Sequence, residues 1–540
     1  MERKIKNPIL PGFYPDPSIC KANGEFYLVC SSFELYPGIP VFRSRDLAHW
    51  VQIGNVMTKD NGFHVKANTF TGGVMAPTIR YYDETFYIIN TNYSDKGNYI
   101  VTSKNPAGPW SEPHWLDDVP GIDASLFIDD DGSAYVLGTG NVVERADGSM
   151  DRGIWIAEFD LKEMKLAGEP KAIWDSALRN AASPEAPHVY HKDGWYYLVI
   201  AEGGTEHYHS VTVARSRDVK GWYEGFPGNP VMTHRHLGYG CEIANAGHAD
   251  LVETDEGNWY AVMLASRTIG GYYKNLGRET YICPVIWERD WPVFSPGTGK
   301  LEWEYDADEN LPWMEVSKEN QKSLDSGVTD EWCFWGTPYG DFWKAEDKSV
   351  SLRCLPRQIN EPLKCLLDES ENGRRDDCVS FIGHRVTGVD YRFSCRMNFS
   401  PEEGESAGIV LLQASNHQYR LEKVRKGESE VLQVVLSTCK MDVPPHFPGF
   451  TSETKEKILA EIPWFSADAE LAAEVSEQDF SFYYVRAGRK FPIFEHADGR
   501  LINPEIVGCM TGMLAGIFAS GNGTDSTNTA VFTDVVYEDK

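Results

Sequence analysis

APHVYHKDGWYYLVI, residues 186–200, is one of five copies of a phrase in the chain. It opens on a small polar cluster, continues into a short apolar run, turns at Asp-Gly and ends in an aromatic, β-branched strand. The other copies are DPSICKANGEFYLVC (16–30), APTIRYYDETFYIIN (76–90), DASLFIDDDGSAYVLG (123–138) and ADLVETDEGNWYAVM (249–263). Successive copies lie about 50 to 60 residues apart, the scale of one multi-stranded propeller blade. VFRSRDLAHW (41–50), IVTSKNPAGPW (100–110) and TVARSRDVKGWY (212–223) each read as strand, Ser-rich turn and aromatic, the outer strands of blades one, two and four. Helical periodicity is weak between Asn7 and Pro296, which argues an all-β fold. Five inner phrases with outer partners predict a five-bladed β-propeller over residues 1–300.

Residues 301–325 are acidic and weakly patterned and read as a connector whose Trp residues pack. From 326 to 540 strands return, and Tyr391, Phe393, Cys395 and Met397 alternate onto one face. That alternation predicts a two-sheet β-sandwich with one wet face per sheet. TSETKEKILAEI (451–462) and DAELAAEV (468–475) look like short helical pieces.

The 540 residues exceed one ordinary core. Apolar content of 42% and charged content of 24% are those of a globular chain. Aromatics at 12% suit both an all-β protein and a carbohydrate binder. A net charge of −29 without a basic block opposes binding to nucleic acid or to an anionic membrane. A neutral substrate fits it, and so does solubility alone. No stretch of about 18 apolar residues predicts a membrane span. The N-terminal MERKIKNPILPGFYPDPSI has no apolar core of a signal peptide, and the 11 cysteines are irregularly spaced without CxxC pairs. A reduced cytoplasmic location is therefore expected.

In a propeller the innermost strands start around one mouth of the central channel, so equivalent positions converge. Asp16, Asp123 and Glu185 stand at or beside the first position of their phrases and are predicted to ring one pocket. Gathered carboxylates cannot all ionise freely; one protonated acid and one ionised base is what glycosidic bond cleavage needs. Taken singly, Asp16 before Pro-Ser also suits a turn, and the Asp129–Asp131 cluster reads as one. His248 suits either a buried core donor or an axial ligand for water or an ion. Arg278 reads either as a donor beside the acids or as a surface partner of Glu279.

At these residues the chain resembles glycoside hydrolase family 43, in particular its two-domain β-xylosidase type. The resemblance is carried by NPILPGFYPDPSI (7–19), SSFELYPGIPVFRSRDLAHW (31–50), GIDASLFIDDDG (121–132), EAPHVY (185–190), AEGGTEHYHSVTVARS (201–216), GHADLVET (247–254) and LGRET (276–280). It implies an inverting hydrolase in which Asp16 is the general base, Glu185 the general acid and Asp123 the group that tunes and orients Glu185. It implies further that Arg278, His209, Phe33, Met75 and Phe127 line the sugar pocket. No cofactor is implied as required, and His248 matches the axial His that lies near a structural calcium ion or a water. The C-terminal domain resembles a concanavalin-like jelly roll that packs on the propeller and closes the pocket with one loop. The implied substrates are short xylo- or arabino-oligosaccharides, and the resemblance leaves a homo-oligomer open. Met75 stands where the family commonly has an aromatic, a softer surface that leaves the choice between xylose and arabinose open. A non-catalytic carbohydrate-binding propeller is the competing reading; it gives no reason to keep three acids.

Overall fold

The structure is a computed structural model that describes residues 3–540 except 66–70, 94, 176–181, 316–320, 325–327, 329, 362–377, 440–452 and 508–509. Its first half is five antiparallel sheets, each built from one continuous stretch of chain. The innermost strands are Ser18–Ala22, Val74–Tyr82, Ile122–Ile128, Glu185–Lys192 and Ile243–Glu253. They neighbour one another in a ring, so the five repeated phrases do line one channel.

No blade is stitched from both ends of the chain, so the ring closes along a seam beside blade five. Lys4–Lys6 pairs with Glu304–Asp306. The Asn7 side chain reads the backbone of Ile282, donating to its carbonyl at 2.8 Å and accepting from its N–H at 2.9 Å. Leu10 and Thr280 exchange backbone hydrogen bonds at 3.3 Å. The predicted connector is thereby divided: its first residues complete the propeller seam, while Gln321–Ser323 pairs with the last strand of the sandwich. The expected 325/326 boundary lies outside the described residues. Among those described, no helix is long and apolar enough to cross a membrane.

The second half is two stacked antiparallel sheets. Tyr391, Phe393, Cys395 and Met397 all point into the core between them, as the period-2 pattern predicts. Both expected helical pieces are strands, Thr454–Trp464 and Asp468–Ser476. In the second, Leu471, Ala473 and Val475 are buried on one face, and tertiary pairing overrides the helix propensity of Ala and Glu.

The expectation of one wet face per sheet fails for one sheet. Every residue of Ser406–Ala414 is buried. Ile409 and Leu411 face the inter-sheet core, while Val410, Leu412 and Ala414 face a second cluster with Phe13, Phe33 and Leu35 of the propeller. The propeller covers the face that would otherwise be wet. It also extends that sheet: Leu35–Tyr36 pairs with Phe334 and Trp335. Two residues before this cross-domain strand stands Phe33, whose place beside the pocket is set by the junction. Truncating Leu412 to Ala should cost about 2–5 kcal/mol, seen as a lower denaturant midpoint. An unchanged midpoint would contradict burial of that face.

Candidate active site

The first position of each phrase has a shared backbone. Asp16, Ala76, Asp123, Ala186 and His248 have φ of 55°, 45°, 53°, 49° and 56°, all left-handed and none glycine. In blades two to five the pairing with the next strand slips at this point, between Met75 and Thr78, Ile122 and Ser125, Glu185 and His188, and Gly247 and Asp250. A bulge with a left-handed residue bends the strand and re-aims its side chains. Repeated around the ring, it turns one group per blade into the mouth. The blade-five phrase therefore starts at His248, one residue earlier than the sequence reading placed it. Glu185 comes from the preceding position, which blade two fills with Met75 and blade five with Gly247.

Asp16 is buried and clamped. Arg278 Nη1 donates to its Oδ1 at 2.8 Å and Ser31 Oγ to its Oδ2 at 2.6 Å, while His248 Nδ1 lies 3.5 Å from Oδ1. Burial alone would raise its pKa; Arg278, His248 and Ser31 outweigh burial and hold the carboxyl below its ordinary value. Ser31 in turn accepts the Ala76 N–H at 2.6 Å, so one hydroxyl ties Asp16 to the neighbouring bulge. Arg278 also donates to Thr205 Oγ1 at 3.1 Å, while its Nε and Nη2 are buried without a protein partner. Unpaired buried donors are costly, and here they suit the hydroxyls of a sugar. The alternative partner of Arg278 is engaged elsewhere: Glu279 holds Arg267 through both oxygens at 2.7 Å.

Asp123 and Glu185 behave in the opposite way. Burial raises the pKa of Asp123, and the charges of Glu185 and Asp16 raise it further. Burial also raises Glu185, against the opposing charge of Arg152, whose Nη1 stands 3.0 Å from Glu185 Oε1. The site thus separates an ionised carboxylate, Asp16, from a carboxyl pair that favours holding a proton.

His209 is buried and its Nδ1 donates to the Asn245 carbonyl at 2.9 Å, which leaves Nε2 as the acceptor. Burial lowers its pKa to about 3, so the ring is neutral. Gly247 has no side chain because the ring occupies that place: a Cβ there would stand 2.5 Å from His209. Phe33 stacks on Phe13 at 5.7 Å beneath the Arg278 guanidinium, and half-buried Met75 packs on the same cluster.

Phe127 is misplaced by the sequence reading. It sits four residues along its strand from Asp123, buried between blades three and four against Tyr135 and Tyr196. Side chains at positions 123 and 127 share a strand but lie at different depths, and only the first reaches the mouth. Beyond it, Asp129–Asp131 forms the expected turn, with Asp129 also tied to His191 and Tyr196.

The expected calcium beside His248 does not fit these residues. Calcium takes six to eight oxygen ligands. Asp250, two residues on, is already saturated by Ser18 Oγ (2.6 Å), the Ile19 N–H (3.0 Å), the Tyr190 hydroxyl and both Nη atoms of Arg80. Arg80 Nη2 also donates to His188 Nδ1 at 3.0 Å, so the guanidinium already supplies the positive charge beside Asp250. His248 itself is pushed by burial toward the neutral form.

Residues 5–292 match glycosyl hydrolases family 43, and residues 325–538 match the β-xylosidase C-terminal concanavalin A-like domain. The chain belongs to glycoside hydrolase family 43. A xylosidase/arabinosidase of Butyrivibrio fibrisolvens is 41% identical over 531 residues, 97% of each chain. A non-reducing end α-L-arabinofuranosidase of Bacteroides ovatus is 35% identical, covering 98% of this chain and 94% of that one. The crystal structure of a xylan β-1,4-xylosidase from Bacillus halodurans superposes with a TM-score of 0.86 at 28% identity, covering 99% of this chain and 100% of that one. The enzyme is a glycoside hydrolase built as a five-bladed propeller with a concanavalin-like sandwich.

Ser31, Thr205, Gly247 and Arg152 were not foreseen from the sequence. Ser31 and Gly247 stand inside the matched motifs but carry no signal as short polar or small residues; Arg152 stands outside the repeated phrase. Two outcomes follow from the geometry. Gly247→Ala should displace His209 and lower kcat/KM at least tenfold without unfolding the protein; full activity would contradict the close approach. Because Arg278 depresses the Asp16 pKa and a base works only above its pKa, Arg278→Met should move the acidic limb of the kcat/KM profile to higher pH. A limb that stays in place would separate Arg278 from Asp16.

Proposed function

We propose that the enzyme releases xylose, with inversion, from the non-reducing ends of short β-1,4-xylo-oligosaccharides. The observation that carries this reading is the difference in environment of the three acids: Arg278 and Ser31 clamp Asp16 and lower its pKa, while burial raises the pKa of Asp123 and Glu185. In this reading Asp16 takes a proton from a water that attacks the anomeric carbon. Glu185 gives its proton to the glycosidic oxygen as that bond breaks, and Asp123 orients Glu185 and sustains its raised pKa. The unpaired donors of Arg278 hold hydroxyls of the terminal sugar.

Release of terminal sugars is supported by the sandwich. Its residues around Gly499 and Met513 pack on the loop that leads into Arg278: the Asn275 side chain donates to the Gly499 carbonyl at 3.0 Å and the Asn275 carbonyl accepts the Met513 N–H at 2.9 Å. A wall on that side favours a pocket over an open groove. A second activity on α-L-arabinofuranosides is favoured by Met75, whose flexible thioether packs beside Phe33 in place of a flat ring. The reading needs no metal in the reaction. It places the enzyme in the cytoplasm as part of xylan utilisation, in keeping with thiols such as Cys20, Cys283 and Cys395 buried in the core.

Asp16→Asn and Glu185→Gln should each lower turnover of xylobiose by about 10²–10⁴-fold, the usual share of a general base or acid, while remaining folded. Glu185→Gln should lose far less on an aryl xyloside whose leaving group needs no proton. Near-normal xylobiose turnover by either variant would remove that residue from its role. Parallel rates on 4-nitrophenyl β-D-xylopyranoside and α-L-arabinofuranoside decide the order of the two activities.

A further inference from the structure

Blade three carries a hairpin longer than its counterparts. Ala134–Glu144 and Met150–Asp160 have 11 residues each, whereas the equivalent strands of blade four, Trp195–Glu202 and Ser210–Ser216, have eight and seven. The extra length lies at the mouth. Ile122, beside Asp123, pairs with Thr139, so the pairs Asn141–Arg152, Val143–Asp151 and Glu144–Met150 overhang the end of the inner strand that bears the acids. The overhang is braced. Arg145 crosses the hairpin to Asp151 at 2.9 Å and reaches Asp175 at 3.1 Å. Gly153 lets the adjoining strand approach, since a Cβ there would stand 2.7 Å from the Trp174 carbonyl.

This brace delivers Arg152 to Glu185. The two side chains meet at 3.0 Å, and they are 37% and 27% exposed, so the pair faces the open side of the pocket. Chemically the contact opposes the role of Glu185 as an acid. A guanidinium is always charged and stabilises the ionised carboxylate, whereas a general acid must arrive protonated. The other charged and titratable groups around Glu185 are Asp123 on the neighbouring inner strand, Asp16 and Arg278 across the mouth, and Tyr93 after the second strand of blade two. Asp16 disfavours ionisation of Glu185, and Arg278 is committed to Asp16. Arg152 is the cation that touches Glu185, and its charge also acts on Asp123.

We propose that Arg152 determines specificity on the leaving-group side: it holds Glu185 in the empty pocket and passes its donors to the hydroxyls of the departing sugar when substrate enters. This rests on the reading of Glu185 as the general acid. Once the guanidinium turns to the sugar, its opposing charge is withdrawn and the already raised pKa of Glu185 rises further, so the carboxyl keeps its proton. It then gives that proton to the glycosidic oxygen as the bond to the anomeric carbon breaks. An aryl aglycone has no hydroxyl to draw Arg152 away, so the device favours oligosaccharides over aryl glycosides.

The test compares wild type, Arg152→Met and Arg152→Lys on xylobiose and on 4-nitrophenyl β-D-xylopyranoside across pH. The profile of kcat/KM reports the free enzyme and that of kcat the bound complex. Arg152 lowers the Glu185 pKa and an acid works only below its pKa. The wild-type alkaline limb should therefore lie lower in kcat/KM than in kcat for xylobiose. In Arg152→Met the kcat/KM limb should move up to meet the kcat limb. That variant should lose about tenfold in kcat/KM on xylobiose, the share of one charge-assisted hydrogen bond, and under twofold on the aryl substrate. Arg152→Lys should fall between, keeping the charge without the fork. Arg152→Gln repeats the comparison if the methionine variant does not fold. Unmoved limbs with an unchanged ratio of the two substrates overturn the inference. If Glu185→Gln keeps xylobiose turnover, the underlying reading fails and the inference with it; an inactive Glu185→Gln beside an unaffected Arg152→Met overturns the inference alone.

Discussion

The site depends on a backbone constraint repeated around the ring: a non-glycine residue held left-handed at the start of each inner strand. Each such residue costs roughly 1–2 kcal/mol, and the surrounding hydrogen bonds must offset it. Ser31 does so for two blades at once, bonding Asp16 and the N–H of Ala76. The return on this strain is convergence. A regular strand would alternate its side chains between its own two faces, whereas the bulge aims one group per blade along the channel. Acids from blades one, three and four and a His from blade five can then share a pocket although long stretches of chain separate them.

Below the acids the same ring must tolerate buried charge. Arg80 and Asp250 form an ion pair in the channel, which is stable only when the remaining hydrogen-bonding capacity is used. Ser18, Tyr190, His188 and backbone N–H groups use much of it. Burial alone would raise the Asp250 pKa; the Arg80 guanidinium outweighs it and holds the carboxyl far below the ordinary range. Two guanidiniums thus divide the interior: Arg80 neutralises the floor, and Arg278 sets the charge of Asp16 above it. Arg152, on the rim, stands against Glu185.

The sandwich is part of this arrangement. One of its sheets spends its outer face on the propeller, with Val410, Leu412 and Phe518 packed against Phe13, Phe33 and Leu35. The strand pairing of Leu35–Tyr36 with Phe334 and Trp335 then fixes the wall at Phe33, and the contacts of Asn275 fix the approach to Arg278. The three acids and Arg278 stand on the propeller, and two of the segments that shape their pocket are anchored in the other domain.

Much of this was legible in the sequence. The five phrases, their Gly and Asp turns and the alternation at Tyr391–Met397 determined propeller and sandwich, because strand period and turn chemistry are local properties of the chain. The recurrence of acids at one blade position also pointed to Asp16, Asp123 and Glu185. Other features were decided only in three dimensions. The blade-five phrase shifted to His248, Phe127 sank into the core, two helix-like segments became strands, and a sheet face expected to be wet was covered. Arg152 met Glu185, and Arg80 joined Asp250 and His188. The physical reason is common to these cases. A local pattern states which side chains share a face; what that face meets, and which charge stands 3 Å away, depends on elements brought together from distant parts of the chain.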